Sequence, residues 1–274
     1  MMPDPIHLLV LGSALFAAGL AAGLIAGLLG VGGGIVIVPV LFQLFTMLGI
    51  DPAITMHLAV GTSLASIVPT SISAVRSHIR RDAVDFDLLR RWAPAVVVGT
   101  LGGAALAGAV HGRVLTLVFG TVALSVALYM ALVRDGARLR DRLPGLWPQR
   151  LIAAAIGAFS AMMGIGGGTL TVPALVLCDY PIRRAVATSS AVGMIIAIPG
   201  TLGFMMTGWD VAGRPPLSLG YVSLLGLMLT APTAMLTAPF GARLAHAINP
   251  RWLRRAFALF LTLTAARMFA SLLG

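Results

Sequence analysis

Long apolar stretches follow one another along almost the whole chain of 274 residues, and short polar segments separate them. Most of these stretches reach the length of about 20 residues that a helix needs to cross the hydrocarbon layer of a bilayer. Inside that layer every backbone polar group must be bonded within the protein, which favours helices. The composition supports the same interpretation, because 58% of the residues are hydrophobic and only 10% are charged. The sequence therefore predicts an all-α, polytopic membrane protein.

Three of the apolar stretches are too short to cross a bilayer as single helices. They cover 35–49, 151–163 and 169–178, and they flank clusters of glycine. A broken or re-entrant helix is the structure that such short segments can form at membrane depth. The full set of predicted segments is 6–29, 35–49, 54–75, 88–110, 114–133, 151–163, 169–178, 185–207, 217–247 and 252–273.

The arginines indicate how the segments are oriented. The 19 basic residues are all arginine, and 16 of them lie in four polar segments. These segments are 76–91, 134–150, 183–184 and 243–255. If each glycine-linked pair of segments enters and leaves by one face, all four fall on the same side, which the positive-inside rule makes the cytoplasm. Both termini are then predicted outside a bacterial plasma (inner) membrane, as are Arg113, Arg214 and Arg267. The net charge of +10 thus sets topology, and we expect no nucleic-acid partner.

The chain also repeats itself. Residues 27–41 read GLLGVGGGIVIVPVL and residues 161–175 read AMMGIGGGTLTVPAL, so that their glycines and proline match at an offset of 134. Further on, VGTSLA (60–65) parallels VATSSA (186–191). Late in each half, a glycine and an arginine match at an offset of 138. Conserved order and spacing over such a length indicate an internal repeat.

The two halves are predicted to be inverted relative to each other. A loop that is rich in arginine in one half is poor in arginine at the matching point of the other, and an odd number of segments per half has the same consequence. We predict a first membrane repeat over 1–133, a cytoplasmic linker loop over 134–150 and a second membrane repeat over 151–274. Each repeat has about five helical segments.

The doubled motif G-x-G-G-G, followed by V-P and by a T-S pair on the next helix, resembles the TauE/SafE family of sulfite and organosulfonate exporters, which includes the 4-toluene sulfonate uptake permease type. The resemblance covers nearly the whole chain; the departures are Ala187 and Ser190, which stand opposite Gly61 and Leu64. It implies a secondary carrier, usually an exporter, of a small sulfur-containing anion such as sulfite, sulfoacetate or another organosulfonate. It implies neither a cofactor nor an enzymatic activity. Alternating access around a midplane site is the mechanism expected of inverted repeats.

The glycine clusters are the candidate anion site. Glycines let successive N–H groups converge on an anion, and the short helices that follow would point their positive ends at the same place. Hydroxyls on the next helix of each half would complete the donor set. Close helix packing is the alternative interpretation of the same small residues. The predicted substrate-binding residues are Gly32, Gly33, Gly34, Thr62, Ser63, Gly166, Gly167, Gly168, Thr169, Thr188, Ser189 and Ser190.

Three ionisable residues in or beside the segments are further candidates. His57 could couple transport to protons, or it could be a polar helix end. Arg267 could balance the charge of the substrate or reach the outer interface, and Arg76 could form a basic vestibule or anchor the topology. No metal site is predicted.

Two other functions and a homodimer stay open. An intramembrane enzyme would need a nucleophile aligned with a base, and a metal-cation carrier would need buried ligands. The absence of lysine and glutamate excludes lysine Schiff-base chemistry, the P-loop lysine and an H-E-x-x-H site.

Overall fold

The structure is a computed structural model that describes residues 13, 16, 17, 19–24, 33–132, 143–247 and 250–273. The described part of the chain is almost entirely helical, which confirms the predicted all-α class. Gly32, most of the first predicted segment, position 133 and positions 134–142 of the predicted linker lie outside the described residues.

Nine helices and one small hairpin make up most of the described chain, and residues 19–24 are helical as well. The helices are α1 (Gly34–Met47), α2 (Pro52–Ile79), α3 (Phe86–Ala109), α4 (Gly112–Leu132), α5 (Leu146–Met163), α6 (Gly168–Val176), α7 (Ile182–Thr207), α8 (Leu224–Ala247) and α9 (Pro250–Leu273). Among the described residues, four helices are long and apolar enough to cross a membrane, namely α2 over Pro52–Arg76, α3, α4 and α7. The protein is therefore a multi-pass membrane protein.

The ninth predicted segment, 217–247, was placed too early. Its first residues form an antiparallel hairpin of β1 (Ser218–Leu219) and β2 (Val222–Ser223), and α8 begins only at Leu224. Gly220 has φ +57° at the first central position of the two-residue turn, where a glycine is favoured. The turn signal Gly-Tyr lies within an otherwise apolar run, which is why hydropathy alone missed it.

The helices of the two halves are interlocked. Among the described helices, α3 and α5 form the most extensive pair. When residues 19–24 are counted as the first helix of the first half, α3 is the fourth helix of that half and α5 is the first helix of the second. A Cβ atom on Gly157 would overlap the carbonyl oxygen of Val96, and a Cβ atom on Gly23 would overlap that of Ala234. Gly23 and Gly157 match at an offset of 134, and Val96 and Ala234 at 138. Each half thus packs its first helix against the fourth helix of the other half.

The relative direction of equivalent helices supports the predicted inversion. A Cβ atom on Gly200 of α7 would lie 3.1 Å from Cδ1 of Leu64 on α2. A Cβ atom on Gly61, one turn earlier in α2, would lie 3.1 Å from Cβ of Phe204, one turn later in α7. These third helices of the two halves therefore run antiparallel, as an inverted repeat requires. The position of the bilayer across them stays a prediction.

The glycine-lined contact between α3 and α5 gives a first prediction. A Cβ atom on Gly103 would lie 2.7 Å from Cα of Ala158, whereas a Cβ atom on the neighbouring Gly102 would meet nothing within 4 Å. We expect G103A to lower the free energy of unfolding by about 1–3 kcal/mol, because overpacking forces the two backbones apart. We expect G102A to match or exceed the wild type, since alanine is the better helix former. Thermal unfolding in detergent measures both, and equal melting temperatures for the two variants would contradict the packing assignment.

Candidate functional site

Both glycine clusters break the helices as predicted. Gly33 precedes α1 with φ +71°. Gly164 ends α5 in the left-handed conformation with φ +68°, and Gly167 precedes α6 with φ +42°. Residues with side chains rarely adopt such φ values, so glycine is required at these three positions.

The glycine clusters of the two halves are in direct contact. A Cβ atom on Gly34 would overlap the carbonyl oxygen of Gly164 and would lie 2.9 Å from Cα of Ile165. At the same point the Ser63 hydroxyl donates a hydrogen bond of 2.7 Å to the carbonyl oxygen of Gly164. The structure therefore brings together the glycine clusters of both halves and a serine of α2, over a contact too close for any side chain.

The backbone donors differ from the predicted nest. The N–H of Gly167 donates to the carbonyl oxygen of Ile165, and the N–H of Gly168 donates to that of Gly166. These two groups are used within their own loop. In α1, by contrast, the first backbone bonds run from Val36 and Ile37 to Gly33, so the N–H groups of Gly34 and Ile35 have no backbone acceptor among the described residues. These two N–H groups lie at the positive end of α1.

Thr62 and Thr188 have a structural function that the sequence did not reveal. Oγ1 of Thr62 accepts a hydrogen bond of 2.9 Å from the N–H of Ser223, and Oγ1 of Thr188 accepts one of 3.0 Å from the N–H of Asp85. Asp85 and Ser223 immediately precede α3 and α8 and match at the offset of 138. Each threonine of one half therefore holds the start of the fourth helix of the other half.

The two helix starts are capped alike as well. The Asp85 carboxylate accepts from the N–H of Leu88 at 2.9 Å, and the Ser223 hydroxyl oxygen accepts from the N–H of Gly226 at 3.2 Å. Asp and Ser are preferred N-cap residues because their oxygens satisfy the free N–H groups of a first turn. The repeat is thus preserved in hydrogen bonds even where the residue types differ.

Most of the predicted hydroxyl donors are already used. The hydroxyls of Ser189 and Ser190 both donate to the carbonyl oxygen of Val186 in their own helix, at 2.8 and 3.1 Å. Oγ1 of Thr169, which is 3% exposed, has no hydrogen-bond partner among the described residues. Of the predicted serines and threonines, Thr169 at the start of α6 is therefore the one whose hydroxyl has no hydrogen-bond partner of either kind among the described residues.

Two further hydroxyls near the second glycine break are also buried without a hydrogen-bond partner. Oγ1 of Thr171 and Oγ of Ser160 have no partner among the described residues. Burying a hydroxyl without a partner costs about 1–3 kcal/mol, so a ligand or a water is expected there. Neither Thr171 nor Ser160 is among the residues predicted from the sequence. The available signal was the pair of threonines in T-L-T, where the first half has Ile35 and Ile37.

The three ionisable candidates lie apart from the glycines. His57 is only 2% exposed, and its Nε2 donates to the carbonyl oxygens of Ala107 and Val110 at 2.9 and 3.2 Å. Its ring stacks on Tyr221 at 4.7 Å between centroids, so it is a buried link between α2, the end of α3 and the hairpin. Arg76 is exposed, and the exposed Arg267 lines a groove beside α1.

A side-chain link outside the predicted set joins the two halves. The hydroxyl of Tyr180, just after α6, donates to the carboxylate of Asp85 before α3. Partial burial raises the pKa of Asp85, but the hydrogen bonds from the Leu88 N–H and the Tyr180 hydroxyl outweigh it and hold that pKa below its usual value. Burial, followed by the hydrogen bond to Asp85, raises the pKa of Tyr180. The 95 residues between the two side chains hide this link from sequence reasoning.

The comparisons place this fold among membrane transporters. A “Probable membrane transporter protein” of Haemophilus influenzae is 30% identical over 264 residues, which cover 96% of each chain. The “Probable membrane transporter protein MJ0441” of Methanocaldococcus jannaschii is 27% identical over 90% of this chain and 91% of its own. YunE of Bacillus subtilis, of the same description, is 27% identical over 86% of this chain and 87% of its own. No solved structure matches the chain.

The family is defined by a match over most of the chain. The sequence profile described as “Sulfite exporter TauE/SafE” matches residues 15–268. The chain therefore belongs to the TauE/SafE family, which confirms the resemblance seen in its glycine motifs.

The link between Tyr180 and Asp85 gives a second prediction. Y180F removes the link together with the contact of the same hydroxyl with Thr188, and D85S removes the link but keeps an N-cap of the kind that Ser223 provides in the other half. We expect each variant to lower the free energy of unfolding by about 1 kcal/mol, and the double variant by no more than either alone, because both remove one interaction. Unfolding in detergent at pH 7 measures these differences, and fully additive losses would contradict the link.

The pH dependence of the same difference has a defined sign. A carboxyl group whose pKa is lowered by folding stabilises the protein above its unfolded pKa of about 3.9, and this contribution is lost as the pH falls through the folded pKa. The difference between wild type and Y180F should therefore be constant from about pH 8 to pH 5 and shrink below about pH 4.

Proposed function

We propose that this protein is a secondary transporter that exports a small sulfur-containing anion, such as sulfite, sulfoacetate or another organosulfonate, from the bacterial cell. The observation that carries the proposal is that three buried hydroxyls, those of Thr169, Thr171 and Ser160, lack a partner among the described residues and lie on the two helices that flank the second glycine break. Membership of a family described as sulfite exporters supports the choice of substrate class. We further propose that the protein lies in the plasma membrane with both termini outside.

The donor set fits a sulfur oxoanion. Such an anion presents up to three oxygens, each of which accepts hydrogen bonds. The hydroxyls of Thr169, Thr171 and Ser160 flank the second break, and the N–H groups of Gly34 and Ile35 lie at the positive end of α1. Hydrogen bonds between a neutral donor and an anion contribute more than those between two neutral groups. The remaining predicted residues, Ser63, Thr62 and Thr188 above all, would hold the frame around this set.

The interlocked halves constrain how alternating access can occur. A rigid rotation of residues 1–133 against 151–274 would separate α3 from α5 and residues 19–24 from α8, which are close glycine-lined contacts. We therefore propose that the moving units combine helices of both halves. Since Thr169 is only 3% exposed, we propose that the described conformation is one in which this site is closed to solvent.

His57 is the residue we propose for any coupling to protons. Its Nε2 is bonded to backbone carbonyls, whereas its buried Nδ1 has no partner among the described residues. A neutral imidazole in this state has one acceptor nitrogen available for a proton.

The alternative functions have specific requirements. An intramembrane enzyme needs a hydroxyl that is hydrogen-bonded to a base. Within the described ranges no hydrogen bond joins a serine or threonine hydroxyl to a histidine, and a covalent serine-directed probe would test this function directly. A metal-cation carrier needs a ligand set, and the described residues contain no group of three or more His, Cys, Asp or Glu that could hold a metal ion. A metal-dependent rise in thermal stability would favour that function instead.

Valine substitutions test the anion site. T169V and T171V preserve side-chain shape and remove one unpartnered hydroxyl each. We expect each to lower the rate of labelled sulfite or sulfoacetate transport in inside-out vesicles by roughly 10-fold or more, the value of a hydrogen bond to a charged group. The matched control is T201V, a buried threonine on α7 whose hydroxyl is bonded to the carbonyl oxygen of Ala197 in its own helix. Folded T169V and T171V proteins that transport as fast as T201V would remove these residues from the site.

A further inference from the structure

A groove of about 880 Å³ lies on the described structure away from the glycine breaks. It is bounded by the C-terminal part of α1, the start of α4 and the C-terminal part of α9. Its lining is largely apolar, with Phe42, Leu44 and Met268 among its residues. Because α1 rises about 1.5 Å per residue, Phe42 is roughly 12 Å along the helix from Gly34. The groove is therefore separate from the proposed anion site.

Two arginines line this groove, Arg113 at the start of α4 and Arg267 near the end of α9. They are two of the three arginines that fall outside the four predicted cytoplasmic segments. The third, Arg214, donates from Nε to the carbonyl oxygen of Val211 at 2.8 Å. No ion pair joins Arg113 or Arg267 to a carboxylate within the described ranges. One groove is thus lined by two arginines that lie outside the predicted cytoplasmic segments and form no ion pair with a carboxylate of the described residues.

The groove opens sideways along apolar surface. Met47 on one side is 73% exposed and Leu263 on the other is 62% exposed. In a membrane protein, such residues face acyl chains. A small sulfur anion would leave these walls uncovered, whereas a molecule with an anionic head and a long apolar tail would match both the arginines and the walls.

We propose that the groove binds one anionic phospholipid, with its phosphate between Arg113 and Arg267 and an acyl chain along α1 and α9. Guanidinium groups bind phosphate oxygens through paired, charge-assisted hydrogen bonds. Basic pockets between membrane helices are a known form of lipid recognition. Two polar residues that also line the groove, Thr46 and Ser271, are the ones we propose for the glycerol and head-group oxygens. Since the lipid would contact both α4 and α9, it would stabilise the pairing of these last helices of the two halves.

Lipid titration of the purified full-length protein tests the proposal. Native mass spectrometry in detergent would count bound lipid as phosphatidylglycerol or phosphatidylcholine of identical chains is added. We expect phosphatidylglycerol to bind wild type at a ratio of one and at least 10-fold more tightly than phosphatidylcholine. R113Q/R267Q should lose that preference. The control R80Q/R91Q removes the same charge from two exposed arginines outside the groove and should keep it.

Measurements of thermal stability distinguish a bound lipid from a free anion as the occupant of the groove. Phosphatidylglycerol should raise the melting temperature of wild type but not of R113Q/R267Q, and inorganic phosphate or sulfite at equal concentration should leave both unchanged. Equal retention of the two lipids by wild type would overturn the proposal even if R113Q/R267Q failed to fold. A stabilisation by free phosphate that depends on the two arginines, or displacement of the lipid by sulfite, would identify an anion or substrate path and overturn it as well.

Discussion

The contact between Gly34 and the carbonyl oxygen of Gly164 determines how the rest of the protein can be arranged. Each helix break leaves backbone groups unpaired, and inside a bilayer nothing but the protein can satisfy them. The chain solves this locally, because the Ser63 hydroxyl donates to the exposed carbonyl oxygen of Gly164 and the N–H groups of Gly167 and Gly168 turn to their own loop. Close to the breaks, the groups left without a partner among the described residues are the hydroxyls of Thr169, Thr171 and Ser160, and the N–H groups at the start of α1 have no backbone acceptor there. A polar site therefore persists in an apolar interior only because two glycine clusters approach more closely than side chains allow.

A second constraint follows from the exchange of contacts between the halves. Thr62 and Thr188 hold the starts of α8 and α3, and the glycine-lined faces of α3 and α5 hold the halves together. Neither half buries its own helix starts or its own first helix without the other. The Tyr180–Asp85 link joins the two halves near the start of α3, whereas the stack of His57 on Tyr221 lies near the end of α3 and the hairpin. The two ends of α3 are thus linked to the other half by different chemistry, one by a charged hydrogen bond and one by a ring stack.

The sequence predicted the parts of this structure that depend on one residue type at fixed spacing. Apolar length indicated helices, and the glycine clusters indicated where helices break, since few residues other than glycine tolerate the φ values found at Gly33 and Gly164. It did not predict the functions of Thr62 and Thr188. The sequence alone does not distinguish a threonine hydroxyl that accepts a hydrogen bond at the start of a distant helix from one that binds a ligand. The Tyr180–Asp85 link and the unpartnered hydroxyl of Ser160 were missed for the same reason: each depends on tertiary contacts between segments far apart in the chain. The Ser218–Ser223 hairpin was hidden by its own hydropathy.

The difference between the two halves is where function is expected to lie. The repeat preserves caps, breaks and glycine contacts, but Ile35 and Ile37 of the first half stand opposite Thr169 and Thr171 of the second. One side of the meeting point is thus apolar and the other presents hydroxyls. Neutral donors bind an anion less strongly than a buried guanidinium would, and a carrier must release what it binds at each cycle. The arginines that topology does not explain lie instead in a groove at the surface, or, for Arg214, on a backbone carbonyl. We propose that this separation of charge from the interior permits turnover, with hydroxyls and backbone N–H groups for a passing anion and guanidinium groups for a ligand that stays.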